Sequence, residues 1–163
     1  MKRALGALFC AAWLTLIGGR SLAQDHDQTA TAGLGEAGGS LSIRAIDDPD
    51  RPGTARRTVI LLGANGVRRT IPLHDGWGRV GNAAINLFKV DQSHFRLVSE
   101  RDCFDIDGVQ ARLTACPVRP PCRVASGEVF MGRFDYMNGF DPPHGRFRYR
   151  FRYLPSDDVA CST

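Results

Sequence analysis

The sequence lacks the short motifs that identify several classes of enzyme. It contains no Gly-x-Ser-x-Gly turn, no His-Glu-x-x-His pair and no phosphate-binding glycine loop. It also has no glycine at every third position and no sustained heptad of apolar residues, which excludes collagen-like and coiled-coil chains. A small hydrolase whose catalytic pair comes from distant residues, for example His74 or His144 with an aspartate, stays an alternative that no motif predicts.

Long apolar runs are absent beyond the amino terminus, where one short run has the form of an export signal. Lys2 and Arg3 precede an apolar stretch, Ala4–Ile17, and Ser21–Ala23 supplies small residues for cleavage. The stretch is about 14 residues long, whereas a helix that crosses a bilayer needs about 20. We therefore predict a cleaved signal peptide over 1–23 and a mature protein that is periplasmic or secreted, with no membrane span.

The composition fits one globular domain preceded by a leader. The chain has 163 residues, of which 43% are hydrophobic and 23% are charged. Its net charge is +4, but Gln24–Asp50 carries one arginine against six acidic residues, whereas Arg51–Thr163 carries 17 basic residues against 11 acidic ones. We predict a flexible, acidic, Gly/Ala/Asp-rich leader over 24–56 and a disulfide-bonded β domain over 57–163. Within the leader, Leu41–Ile46 is either a peripheral strand or part of the flexible segment.

Cysteines are few, and their number predicts disulfides rather than a metal site. Four of the five cysteines follow the signal peptide, and an even number in an exported chain favours two disulfides. The Asp107-Gly108 pair predicts a hairpin with a two-residue loop, in which Cys103 faces Arg112. Cys116 then lies about 13 Å further along the strand, too far for a bond to Cys103. This register favours the pairs Cys116–Cys122 and Cys103–Cys161.

Long helical periods are absent, and short β segments separated by turns take their place. Asn65-Gly66 predicts a hairpin between Thr58–Leu62 and Val67–Leu73. Together the segments predict an all-β, mainly antiparallel fold, a small sandwich or barrel stabilised by the two disulfides. Ala83–Val90 fits either a helix, which Asn82 could cap, or a strand, and the tight connection into Phe95–Ser99 favours a strand. The other segments with strand character are Phe95–Ser99, Cys103–Ile106, Val109–Ala115, Val129–Tyr136 and Arg146–Tyr153.

The last of these segments has the most regular pattern in the chain. Arg146–Tyr153 alternates arginine with an aromatic residue, a period of two that a strand separates onto two faces. One face then holds four rings and the other four guanidinium groups in a row about 20 Å long. Guanidinium groups keep their charge and donate paired hydrogen bonds to phosphate, sulfate or carboxylate groups. The row predicts a non-catalytic binding module for an anionic polymer, such as an acidic polysaccharide or a phosphate-bearing surface, or for an acidic protein.

The loop before this strand, Asn138–Gly145, extends the predicted site. Long hairpin loops on rigid strands often carry binding residues, and this loop contains an aromatic residue and a histidine on either side of two prolines. We expect no metal, no cofactor and no nucleic-acid partner. Two alternatives stay open: arginines that only solvate the sheet beside acids such as Asp135, and an enzyme inhibitor that presents Pro117–Pro121 or Gly139–His144 as a rigid loop. The candidate binding residues are Arg133, Phe140, His144, Arg146, Arg148, Arg150 and Arg152.

Overall fold

The computed structural model describes residues 27–35, 39–47, 50, 54–74, 84–118, 124–141 and 146–155. These residues form ten strands in two antiparallel sheets and no α-helix, which confirms the predicted all-β class. The predicted signal peptide, Cys122, His144 and Cys161 lie outside the described residues. The strands are β1 (Asp27–Gly33), β2 (Gly39–Asp47), β3 (Ala55–Gly63), β4 (Arg68–Pro72), β5 (Ile85–Lys89), β6 (His94–Val98), β7 (Cys103–Asp107), β8 (Arg112–Ala115), β9 (Val129–Asp141) and β10 (Arg146–Leu154).

One sheet has four strands and the other has six. The four-stranded sheet has the order β1-β2-β3-β4, and the six-stranded sheet has the order β10-β9-β5-β6-β7-β8. The predicted hairpin around Asn65-Gly66 is confirmed as β3–β4. Val67 N donates a hydrogen bond to Asn65 Oδ1 at 2.9 Å, and Gly66 has a φ of 76°, which glycine adopts without strain.

Both sheets bury side chains in one hydrophobic core. Along β1, β2 and β3 every second side chain is buried, as expected for a sheet with one wet face. The core therefore determines which side of each strand faces outward. Its members include Ala30, Ala32, Leu41, Ile43, Val59 and Leu61 from the four-stranded sheet and Ile85, Leu87, Phe95, Leu97, Phe104, Ile106, Phe134 and Phe151 from the six-stranded sheet.

The acidic leader contains two of these strands, contrary to the prediction of a flexible segment. β1 pairs with β2 along its whole length, and β2 pairs in turn with β3. β1 buries Ala30 and Ala32, whose small side chains hardly register as a hydrophobic pattern among neighbouring glycine, threonine and serine residues. The structure thus corrects the leader over 27–33 and 39–47, and it makes Leu41–Ile46 part of a strand in the middle of the sheet.

The β7–β8 hairpin has a longer loop than predicted. Asp107 pairs with Arg112, so that four residues, 108–111, form the loop. Asp107 Oδ1 accepts hydrogen bonds from Val109 N at 3.1 Å and from Gln110 N at 2.9 Å. These bonds from an aspartate side chain to the following backbone stabilise the wider turn.

The longer loop changes the partner of Cys103. It places Cys116 beside Cys103, and Cys116 N donates to Cys103 O at 2.9 Å. The two residues form a disulfide with a Cα–Cα distance of 5.3 Å. The predicted pairs Cys116–Cys122 and Cys103–Cys161 are therefore wrong.

β9 and β10 form a long hairpin whose first strand continues past its predicted end. β9 ends at Asp141 and β10 begins at Arg146, so the first four residues of the predicted loop Asn138–Gly145 are strand. β9 also contains a bulge where its register with β5 shifts. Gly132 lies there with a φ of 144°, and a Cβ at this position would collide with the carbonyl oxygen of Leu154. Glycine therefore lets β9 approach β10 closely at the bulge.

Candidate anion-binding face

The arginine side of β10 faces away from the core. Phe151 is 4% exposed and packs against Phe134, with ring centroids 6.4 Å apart. Tyr153 also packs against Phe134, at 5.0 Å. Arg150 and Arg152 alternate with these rings and are exposed. The predicted parity, with rings inward and guanidinium groups outward, is confirmed for residues 150–153.

The neighbouring strand presents one acid to this part of β10, and that acid contacts a different arginine. Arg152 lies opposite Asp135 in the β9–β10 register, and Arg150 lies opposite Met137. The Asp135 carboxylate lies 3.4 Å from Arg133 Nε. Within the described part of the chain, the side chains of Arg150 and Arg152 form no ion pair and no hydrogen bond.

We name this surface the arginine face and define it as Arg133, Asp135, Met137, Arg150 and Arg152. It holds three guanidinium groups against one carboxylate. The side chains of Arg133 and Asp135 are 27% and 21% exposed, whereas Arg150 and Arg152 belong to the exposed residues. An anion can therefore reach these two arginines without displacing a carboxylate of the described residues.

The first half of β10 continues the same register. Arg146 lies opposite Asp141, and Arg148 lies opposite Gly139. Acidic residues thus stand opposite the first and last arginines of the row, but not opposite Arg148 and Arg150. The alternative in which the arginines only solvate the sheet beside acids stays a prediction for Arg146 and Arg148.

The other two candidate residues of the predicted loop are Phe140 and His144. Phe140 belongs to β9, where it lies opposite Phe147. His144 lies outside the described residues. The inhibitor alternative depends on Pro117–Pro121 and Gly139–His144, which fall largely on residues that are not described, so it stays a prediction.

β10 is an edge strand, and β1 of the other sheet lies beside it. Phe151 N donates a hydrogen bond to Gln28 Oε1 at 2.6 Å. The bond occupies a backbone donor that an edge strand otherwise leaves for water or for another chain. The strand under the arginine face is therefore held by β9 on one side and by β1 on the other.

Two tyrosines lie on the inner side of the same hairpin. Tyr153 Oη donates to Met131 O at 2.7 Å, whereas Tyr136 Oη is buried with no hydrogen-bond partner among the described residues. Burial raises the pKa of Tyr136 to about 12; Asp47 adds to the rise and Arg57 opposes it. Burial also raises the pKa of Tyr153. Both hydroxyls stay neutral at physiological pH and add no charge beneath the arginine face.

The far end of the six-stranded sheet carries a second charged surface, in which the arginines are paired. We name the outward side of β6, β7 and β8, with Glu128 beside it, the paired face. Arg96 donates from Nε to Asp105 Oδ1 at 2.8 Å and from Nη1 to Glu128 Oε1 at 2.5 Å. Arg112 Nη2 lies 3.5 Å from Asp107 Oδ2. A groove of about 270 Å³ crosses this face, and its two arginines already have carboxylate partners.

His94 also lies on the paired face and contacts a nearby carboxylate. Its Nδ1 lies 2.8 Å from Asp91 Oδ2. Asp91 accepts further hydrogen bonds from Ser93 N and His94 N, both at 2.8 Å. These backbone bonds, ahead of the contact with the His94 ring, hold the pKa of Asp91 below its ordinary value. The pair is therefore part of a local turn.

A second histidine–aspartate pair joins residues that are far apart in sequence. His74 N donates to Asp102 Oδ2 at 2.7 Å, and His74 Nδ1 lies 2.8 Å from Asp102 Oδ1. The His74 side chain is 86% exposed, whereas the Asp102 side chain is 6% exposed. The sequence identified His74 as a candidate, but nothing in the local pattern connects it to Asp102.

Comparisons with known proteins leave the function to be inferred from these surfaces. No protein-family model, no curated protein and no solved structure matches the chain. Among the described residues, no helix has the length and apolar character needed to cross a membrane. In the same residues, no group of three or more His, Cys, Asp and Glu side chains is arranged to hold a metal ion.

Proposed function

We propose that the protein is an exported, non-catalytic binding module that recognises an anionic polymer through the arginine face. The observation that carries the proposal is the pair of exposed guanidinium groups of Arg150 and Arg152, which have no acidic partner in the described part of the chain. Alternate residues of a strand are about 7 Å apart, so the two groups can bind successive anionic groups of an extended polymer. Pairing of β10 with β9 along its length limits the backbone entropy that binding must overcome.

The lack of aromatic residues on this face favours a polysaccharide over a nucleic acid. The positions of β9 that share the parity of Arg133 hold Asp135, Met137, Gly139 and Asp141, and those of β10 hold arginine and Leu154. Single-stranded nucleic acids are bound largely by stacking of bases on aromatic rings, which contributes about 1–3 kcal/mol per base. A sulfated, phosphorylated or uronic-acid polysaccharide requires only charge and hydrogen-bond donors. We therefore expect an acidic polysaccharide as the ligand.

Export is part of the same proposal. The disulfide between Cys103 and Cys116 supports an oxidising compartment, because such bonds seldom persist in a reducing cytosol. We propose that residues 1–23 are removed, that Cys122 and Cys161 form a second disulfide, and that the two sheets form a sandwich around their shared core. Mass spectrometry of the exported protein should find Gln24 at its amino terminus and a peptide cross-linked through Cys122 and Cys161. Retention of residues 1–23, or free thiols at these cysteines, would contradict this part.

Chromatography on an immobilised sulfated polysaccharide tests the binding site. The wild-type protein should be retained at low salt and elute in a salt gradient, because salt screens exposed charges. Replacing both Arg150 and Arg152 by glutamine should lower the salt concentration at which the protein elutes. It should also reduce the slope of the logarithm of the binding constant against the logarithm of the salt concentration by roughly one per arginine. The matched control replaces Arg68 and Arg69, which are exposed on β4 of the other sheet, with glutamine.

The two double variants separate a site from a general effect of charge. Both lose two positive charges, so attraction governed by net charge alone predicts equal shifts in elution. A site at the arginine face predicts that only the Arg150 and Arg152 variant shifts. Unchanged elution of that variant would overturn the proposal. Circular dichroism should show that both variants remain folded, since all four side chains are exposed.

A further inference from the structure

His74 is held rigidly although its ring is exposed. The Asp102 carboxylate binds both the backbone N–H and the ring Nδ1 of the same residue. Asp102 is itself fixed in the β6–β7 turn: its N–H donates to Ser99 Oγ at 2.9 Å, and its carbonyl oxygen accepts from Ser99 N at 2.9 Å. The position and orientation of the imidazole therefore depend on a buried carboxylate. The residue that carries this carboxylate is anchored through both its backbone N–H and its carbonyl oxygen.

The same contact determines which ring nitrogen carries the proton. An ionised carboxylate accepts hydrogen bonds and cannot donate them, so Nδ1 of the neutral ring is the donor. Nε2 then carries the free lone pair. Because the His74 side chain is 86% exposed, a ligand can approach this lone pair from solvent.

We propose that His74 Nε2 is a binding site for a divalent first-row transition-metal ion, with Asp102 as the outer partner of the ligand. Metal-binding histidines almost always donate their other ring N–H to a carboxylate or carbonyl group, which orients the ring and makes it a stronger ligand. Imidazole suits copper, nickel and zinc, and among these divalent ions Cu²⁺ binds most tightly. Among the described residues His74 supplies the single protein ligand, and water can occupy the other coordination positions.

The surroundings of the pair favour metal binding over hydrolysis. A hydrolytic pair needs a nucleophile or an activated water beside a substrate pocket. The hydroxyl of Ser99 accepts the hydrogen bond from Asp102 N and the residue is 5% exposed, so it cannot serve as a nucleophile for His74. Coordination of a metal requires only the lone pair of Nε2.

His94 provides a comparison within the same molecule. Its Nδ1 also contacts a carboxylate at 2.8 Å, but Asp91 is 55% exposed and divides its hydrogen bonds among the ring and two backbone N–H groups. Water competes with the ring for such a carboxylate far more than it does for Asp102. We therefore expect His74 to bind Cu²⁺ more tightly than His94.

Titration of the protein with Cu²⁺ at neutral pH tests this inference. Paramagnetic broadening of the imidazole proton signals reports which histidines bind, and the four histidines of the chain are few enough to resolve. His74→Gln and His94→Gln assign the two signals. The His74 signal should broaden at a lower Cu²⁺ concentration than the His94 signal. In Asp102→Asn the concentration required at His74 should rise by about tenfold or more, whereas Asp91→Asn should leave His74 unchanged.

Two outcomes would overturn the inference. One is simultaneous broadening of His74 and His94 in the wild-type protein, a comparison that stands even where Asp102→Asn does not fold. The other is a folded Asp102→Asn variant whose His74 signal broadens as in the wild type. The double variant at Arg150 and Arg152 should bind Cu²⁺ normally, so failure of polysaccharide binding and failure of metal binding are distinguishable.

Discussion

The arginine face and the paired face lie on the same six-stranded sheet and use the same residue types, but they arrange their charges differently. On the paired face, Arg96 has carboxylates from β7 and from the segment before β9, and Arg112 has one from β7. On the arginine face, neither Arg150 nor Arg152 has a partner in the part of the chain that the structure describes. An arginine on the wet side of a strand is therefore not a binding signal by itself. What matters is whether a carboxylate reaches it from a neighbouring segment.

Burial also separates the Arg96–Glu128 pair from Arg150 and Arg152. The Glu128 side chain is 7% exposed and that of Arg96 is 25% exposed, whereas Arg150 and Arg152 are exposed. Removing one partner of a buried pair leaves a poorly hydrated charge, but removing an exposed charge changes stability little. We therefore expect loss of the Arg96–Glu128 pair to change stability and substitution of Arg150 and Arg152 to change binding.

Arg96→Ala should have the largest effect of the changes considered. It leaves the Glu128 carboxylate buried without its guanidinium partner and removes the hydrogen bond to Asp105. We expect the free energy of unfolding to fall by about 3 kcal/mol, as when one partner of a buried ion pair is removed. Urea unfolding followed by circular dichroism measures this loss. Retention of the folded variant on the polysaccharide column should not fall.

Arg112→Ala is the matched control on the same face. Arg112 is 64% exposed and lies 3.5 Å from Asp107. The Asp107 side chain is 11% exposed, but it keeps its hydrogen bonds from Val109 N and Gln110 N when Arg112 is removed. We therefore expect a loss below about 1 kcal/mol. Similar losses for the Arg96 and Arg112 variants would show that burial does not distinguish these two pairs.

The hydroxyl groups of Tyr136 and Tyr153, on the inner side of the β9–β10 hairpin, should affect stability with opposite signs. Tyr136→Phe removes a buried hydroxyl that has no partner among the described residues, so we expect the free energy of unfolding to stay level or rise by up to about 1 kcal/mol. Tyr153→Phe removes the hydrogen bond to Met131 O and should lower it by about 1 kcal/mol. Urea unfolding of both variants checks the opposite signs, and a loss in both would contradict the first.

The same tyrosine predicts how stability changes at high pH. Tyrosine in the unfolded chain ionises near its ordinary pKa of 10.0, whereas the pKa of Tyr136 in the folded protein is about 12. Because the folded value is the higher one, the contribution of this group is present below pH 10 and is lost as the pH rises towards 12. Tyr136→Phe should lose less stability than the wild type across this interval. Equal slopes would contradict burial of the hydroxyl.

The arginine face was partly predictable because strand parity is a local property. The alternation in Arg146–Tyr153 admits one period, and the core needs only to accept the rings for the guanidinium groups to face outward. The hairpin at Asn65-Gly66 was predictable for the same reason, since a turn depends on its own residues. Neither required knowledge of the rest of the fold.

The loop between β7 and β8 depends on distant residues. Gly108 N donates to Ser93 O at 2.8 Å, and Gly108 O accepts from Ala64 N at 3.1 Å. An Asp-Gly pair alone favours a two-residue loop, but these contacts and the side chain of Asp107 stabilise a four-residue one. The register, and with it the partner of Cys103, could not be predicted from the local pattern.

Prediction of the ion pairs also required knowledge of the fold. His74 and Asp102 are 28 positions apart, and Arg96 and Glu128 are 32 positions apart. No spacing rule connects residues at such separations, because the strand order brings them together. The sequence could therefore identify charged residues on wet faces, but not which of them were already paired.

Asp135→Asn should have the smallest effect of these substitutions. It tests the arginine face by removing a negative charge instead of positive ones. Asp135 lies opposite Arg152 and 3.4 Å from Arg133 Nε. Neighbouring strands are about 5 Å apart, within the Debye length of about 8 Å at physiological salt, so both arginines respond to loss of this charge. We expect a two- to threefold rise in affinity for the polysaccharide, equivalent to less than about 1 kcal/mol, and elution at slightly higher salt. Asp105→Asn on the paired face removes an equal charge and should leave elution unchanged while lowering stability. If both variants elute later by the same amount, net charge rather than the arginine face controls retention, and the two faces do not differ in function.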